Sequence, residues 1–190
     1  GIYEVIKTNN IDFFLLDCRT FLKVKKGSFL GNTQLNWLKK ELAQSDAKFK
    51  FILFSNQVIN PKTNHETINR GSFKKEKEDL FDFIQKNTIN GVVFFSGDRH
   101  FGELHVDNTN YYPLYDFTTS PLSSPRHHLF FKEEKKNTTT RVDGSFFTNK
   151  NYLKCTLKEQ NNDSYLLFEL KNKHGKEVFK LQLSEKDLGY

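Results

Sequence analysis

Two short runs, "FKFILFS" at 49–55 and "GVVFFSG" at 91–97, are apolar almost throughout and then break abruptly into polar residues. Strands covered on both faces demand such runs, because successive side chains leave on opposite sides and neither side meets water. A third run, "DFFLLDC" at 12–18, precedes them, and the stretches between follow a helical period. Leu35, Leu38 and Leu42, with Trp37 beside them and Gly31-Asn32-Thr33 as a start, predict a helix of about three turns. Leu80, Phe81 and Ile84 predict a second helix, with Ser72 as its cap and Lys74, Lys75, Lys77 and Glu78 on a wet face. Residues 11–96 therefore read β-α-β-α-β, an α/β arrangement of parallel strands with helices packed on the sheet.

Outside that core, "YEVIK" at 3–7 reads as a further strand, and "NQVINPKTNHETINRGS" at 56–72 as a long polar loop broken by Pro61 and Gly71. After Gly97 come five strand-like runs, "ELHV", "PLYDFTTS", "YLKCTLKE", "SYLLFEL" and "EVFKLQL", the last three joined by the turn sequences "QNND" and "KNKHGK". They predict a β-meander in the C-terminal third, with 123–149 as an exposed connection. We read a single domain over 1–190, with a β-α-β-α-β part at 1–104 and a β-rich part at 105–190.

The 36% hydrophobic and 15% aromatic content of the 190 residues is enough to build a core. No apolar run approaches the ~20 residues that span a bilayer. A net charge of +6 favours anionic partners, and is also what keeps a small domain in solution. Specific nucleic-acid binding is not expected, since the lysines are spread along the chain and mixed with acids rather than clustered with aromatics. Cys18 and Cys155 fit no zinc spacing and leave the redox compartment open. With Gly at position 1, no Met and a strand almost at once, the chain reads as a fragment of a longer protein.

Ligands of open parallel sheets bind where strands end, since the loops there converge on rigid supports. Three ends carry chemistry: "LLDCR" with Asp17 and Arg19, "LFSNQV" with Asn56 and Gln57, and "FFSGDRH" with Asp98, Arg99 and His100. Ser96-Gly97 is expected to permit a sharp turn that points Asp98 and His100 at one spot, a carboxylate and an imidazole suited to a metal ion or to acid/base work. The alternatives are a turn-capping Asp98 and a surface His100. Arg19 suits an oxyanion clamp or an ion pair with Asp17. Asn56 and Gln57 orient a ligand or satisfy the loop backbone. His65, His105, His127, His128 and His174 have no partner at ligand spacing, and no nucleophile elbow or glycine-rich phosphate loop is present.

The order of "FFLLDCR" (13–19), "LGNTQLNWLKKEL" (30–42), "FKFILFSNQV" (49–58), "EKEDLFDFIQKNTINGVVFFSGDRHFGEL" (76–104) and "YPLYDFTTSPLS" (112–123) resembles the PhoD-like alkaline phosphatases of the metallophosphoesterase superfamily. The resemblance implies the C-terminal part of an α/β/β/α sandwich that hydrolyses phosphate esters, with iron and calcium as cofactors, outside the cytoplasm. It implies Asp98 as a metal ligand, His100 as a metal or phosphate contact, and catalytic roles for His100 and Arg19. The superfamily draws most of its ligands from motifs in its first half, which do not occur here, and Gly31-Asn32 is followed by Thr33. The expected partners are a phosphate-ester substrate and a missing N-terminal half that completes the site. The competing expectation is an inactive remnant serving as a binding module.

Overall fold

The computed structural model describes residues 1–23, 27–61, 67–68, 71–125, 134–136, 139–160 and 163–190, without the side chains of Ser72 and Gln160. His65, His127 and His128 lie outside the described residues. Strand β1 is Glu4–Lys7, β2 Ile11–Leu15, β3 Phe49–Leu53, β4 Val92–Ser96, β5 Glu103–Asp107 and β6 Leu114–Thr118; helix α1 is Gly31–Ala43 and α2 Lys74–Lys86. The three closing strands are β7 (Asn151–Gln160), β8 (Asp163–Asn172) and β9 (Glu177–Ser184).

The predicted β-α-β-α-β core is present: β2, β3 and β4 are parallel neighbours, joined through α1 and α2. They sit in a sheet ordered β1-β2-β3-β4-β6-β5, with β1 antiparallel at one edge. Leu35, Leu38 and Leu42 of α1 and Leu80, Phe81 and Ile84 of α2 are buried, so both apolar stripes do what their spacing requires. Glu76 of α2 accepts the main-chain N–H groups of Phe29, Leu30 and Gly31, which neutralises the positive start of α1 and ties the helices together.

The sequence reading fails at four points of the fold. The runs "ELHV" and "PLYDFTTS" do not join the meander. They are β5 and β6 of the first sheet, where β6 lies parallel to β4 and β5 antiparallel to β6. A parallel crossover usually carries a helix, and because β5 fills that role no helical period marks it. The division at residue 104 consequently falls inside β5. Only β7, β8 and β9 form the antiparallel meander. Secondly, α2 starts at Lys74 after a 3-10 turn over Gly71–Phe73, with Phe73 rather than Ser72 at its N-cap position. Thirdly, Lys77 is not wet: its ammonium lies 4.9 Å from the Phe81 ring and 3.9 Å from Asp107. Its long stem covers apolar surface. Lastly, part of 123–149 packs against β5, through Val142 N–H to Leu104 O (2.9 Å) and Val106 N–H to Thr140 O (2.8 Å). The loop read after β3 does begin there, and its first residues, Asn56 to Asn60, are buried throughout.

Alternation along β4 explains the layering. Phe94 turns to the helices, stacking on Phe81 at 5.6 Å, while Phe95 turns to the meander and meets Phe168 of β8 at 6.1 Å. Phe168 also stacks on Phe117 at 4.3 Å and approaches Phe51 at 6.4 Å. Helices, main sheet and meander thus form three successive layers, with an aromatic seam between the two sheets. Gly91 opens β4 at φ +77°, and a Cβ there would stand 2.1 Å from Lys48 O. Only glycine fits so close an approach. Among the described residues no helix is long and apolar enough to cross a membrane.

Candidate functional site

The parallel register brings three strand ends to one rim, and β6 adds a fourth. Cys18 Sγ, just past β2, accepts the Ser55 N–H at 3.5 Å, and Gly97 N–H donates to Ser55 O at 3.3 Å. Asn56 Nδ2 donates to Asp98 Oδ2 at 3.2 Å, and the His100 N–H donates to Ser120 Oγ, beyond β6, at 2.8 Å. Ser120 escaped the sequence reading, since a serine beside a proline carries no motif of its own.

The turn bearing Asp98 and His100 is built otherwise than expected. Gly97 does not adopt a left-handed φ; Asp98 (φ 67°) and His100 (φ 61°) do. Such backbone is costly for residues with a Cβ, by about 1 kcal/mol each, and persists only where surrounding bonds hold it. Here those bonds are the ones from Ser55, Asn56 and Ser120 just described. Arg99 adds another anchor: its guanidinium pairs with fully buried Glu134 and lies 5.3 Å from the Phe101 ring, so it braces the turn from beneath. Asp98, by contrast, is exposed.

His100 Nδ1 lies 2.7 Å from Pro125 O. A carbonyl oxygen can only accept, so Nδ1 carries a proton and donates it to Pro125 O. A backbone carbonyl on one ring nitrogen fixes the orientation of the imidazole. Asp98 and His100 thus offer one hard oxygen donor and one borderline nitrogen donor, types that suit a divalent or trivalent ion. Among the described residues no group of three or more His, Cys, Asp or Glu side chains converges at metal spacing. Among the described residues these two donors are fewer than a metal centre requires.

Asp17 and Arg19 occupy the β2 end of the same rim, with β3 between them and β4. The Asp17 carboxylate is engaged by its own turn, Oδ1 accepting the Arg19 and Thr20 N–H groups and Oδ2 the Ile2 N–H, each at 2.9 Å. The Thr20 hydroxyl and these three N–H groups hold its carboxyl far below the usual carboxylate range. Arg19 itself is exposed on the rim. Gln34 of α1 fixes this corner by reading both sides of Asp17's backbone, Oε1 accepting its N–H (2.7 Å) and Nε2 donating to its C=O (2.8 Å).

Beneath the rim is a buried polar network that sequence reasoning missed. Gln57 Nε2 donates to Glu103 Oε1 (2.6 Å) and Thr118 Oγ1 (2.7 Å), so Gln57 is a structural residue rather than a rim ligand. Glu103 also takes Arg141 Nε at 2.6 Å and has His105 Nε2 at 2.9 Å. Burial alone would raise the Glu103 carboxyl, but His105, Arg141 and Gln57 outweigh it and hold it below the usual range. Asp116 Oδ2 accepts the Val58 and Ile59 N–H groups at 2.7 and 3.0 Å, and Oδ1 the Ser96 hydroxyl at 3.0 Å. Burial pushes the Asp116 carboxyl up against these donors. The segment that presents Asn56 is therefore held from below. Cys18 and Cys155 are both free thiols, raised by burial, Cys155 to about 12.

Against known proteins, the profile of the family described as PhoD-like phosphatase matches residues 3–174. A solved structure of PhoD is similar in fold, with a TM-score of 0.74 at 15% identity over 97% of this chain. This chain covers 41% of the length of that one. No curated protein sequence matches. A profile match that takes in all four strand ends of the rim, on a fold shared with PhoD, establishes that the chain belongs to the PhoD-like phosphatase family.

Proposed function

We propose that this chain is the C-terminal part of a metal-dependent phosphoesterase, working outside the cytoplasm, whose metal site it shares with a preceding half of the same protein. The observation that carries the reading is the strained Asp98-to-His100 turn, which exposes a carboxylate and anchors an imidazole through Nδ1 on Pro125 O. Asp98 and His100 would hold the metal, calcium and iron being the ions the family resemblance suggests. Such an ion, when bound, supplies neutralisation of phosphoryl charge and a water acidic enough to attack at neutral pH. The chain's own contribution is positional. Asn56 orients the Asp98 carboxylate, Pro125 O orients the His100 ring, and Arg19 stands at the same rim as a guanidinium suited to a phosphoryl oxygen. The three layers described here would be completed to a four-layer α/β/β/α sandwich by the preceding half.

The test is to read the gene in frame upstream of the Gly1 codon, express its product, and assay a phosphate monoester and a diester with and without added metal. Metal-dependent turnover that falls by about a hundredfold or more in Asp98→Asn supports the reading. Turnover indifferent to Asp98→Asn and His100→Gln sinks it. Strong turnover by the 190-residue chain alone would overturn the sharing of the site. The competing reading is a binding module without catalysis. An upstream frame that ends close to Gly1 would make it the better one.

A further inference from the structure

Beside the Asp98-to-His100 turn lies a cavity of about 600 Å³, walled by Pro125, Phe147, Asn149, Lys150, Lys173 and His174 among others. Its size is that of a small-molecule site. No acidic side chain is among its described lining, and among the described residues neither Lys150 nor Lys173 has a carboxylate partner. Elsewhere the protein pairs lysines readily, as in Lys48 with Glu185 and Lys171 with Glu169. Two lysines lining one concavity, with no acidic residue among its described lining, focus a positive potential there.

The geometry fixes this basic wall relative to the rim. The β8–β9 hairpin tip is closed by Asn172 Oδ1, which accepts the N–H groups of His174 (2.9 Å) and Lys176 (3.1 Å). The Lys173 N–H donates to Lys150 O at 3.1 Å, so the two lysines sit on adjoining backbone. The next residue, buried Asn151, donates from Nδ2 to Ser120 O, accepts the Thr119 hydroxyl at 3.0 Å, and sends its N–H to Pro121 O at 3.0 Å. Ser120 in turn holds the His100 N–H, and Pro125 belongs both to the cavity wall and to the bond that sets the His100 ring. A continuous hydrogen-bonded path therefore runs from the lysines to His100.

We propose that this cavity binds a phosphate-bearing anionic group, and that it takes the portion of a phosphodiester substrate lying beyond the phosphate at Asp98 and His100. Lys150 and Lys173 meet the anion, His174 and Asn149 add hydrogen-bonding groups, and Phe147 gives an apolar wall to the organic part. The second half of the proposal rests on the phosphatase reading; the first does not.

The test uses the 190-residue chain and inorganic pyrophosphate without metal, followed by calorimetry and by amide shifts of Lys150, Lys173 and Gly175. Lys150→Glu with Lys173→Glu is expected to weaken binding about tenfold or more, the loss of charge-assisted hydrogen bonds. The same charge change at exposed, distant Lys40 and Lys75 should alter it by less than about twofold, since salt screens remote charges. Equal weakening by both pairs, or shifts absent from the cavity amides, overturns the proposal. Binding that depends on Lys150 and Lys173 but survives Asp98→Asn places the anion in the cavity rather than at the rim. If that binding is found while the longer gene product turns over no phosphate ester, the cavity stands and the phosphatase reading falls.

Discussion

Asn56 and Asp98, 42 residues apart in the chain, meet through a 3.2 Å hydrogen bond that fastens the end of β3 to the left-handed turn after β4. The bond uses one carboxylate oxygen of an exposed residue. Asn56→Ala is expected to cost about 1 kcal/mol of stability, read as a lowered urea midpoint. In the catalytically competent protein it should reduce kcat/KM by about 10–100-fold, as loss of an outer-shell partner does. An unchanged kcat/KM would remove Asn56 from the site.

The Asp17 carboxylate supplies a pH signature. Its folded-state pKa is depressed, so its contribution is complete above the unfolded carboxylate range and is lost progressively as pH falls below that range towards the depressed folded value. Asp17→Asn should therefore lower stability by about 1 kcal/mol at pH 7, with the gap to wild type closing below about pH 4. Denaturation curves at several pH values measure this, and a gap that widens on acidification would refute the assignment.

Glu103 and Arg141 form a buried ion pair that supports the rim from below. Glu103→Gln leaves the guanidinium without its counter-charge and should destabilise the fold by about 3–5 kcal/mol. Replacing both, Glu103→Gln with Arg141→Met, should recover part of that loss, because no charge is then stranded. A thermal-melt double-mutant cycle reports the coupling, and strict additivity would mean that the pair is not one unit.

Phe168 is the wedge between the two sheets, against Phe51, Phe95 and Phe117. Phe168→Ala should cost about 3–5 kcal/mol, with hydrogen exchange rising first in β7 to β9. Loss of protection confined to the helices would contradict the layering.

The sequence by itself determined the parallel core, both helices and the position of Asp98 and His100 at a strand end. Each of those is a local matter: period, apolar run length and the abrupt arrival of polar residues. The resemblance of five ordered segments to PhoD-like phosphatases was likewise legible without coordinates, and the match over residues 3–174 agrees with it. Tertiary structure alone decided which sheet β5 and β6 join, because strand partners are chosen by packing rather than by the strand's own pattern. It alone assigned left-handed backbone to Asp98 and His100 instead of Gly97, since the strain is held by Asn56 and Ser120 from other strands. Gln57 and His105 show the same limit. Their chemical types fit a site, yet both are enclosed with Glu103 under the rim, and burial is a property of the folded whole.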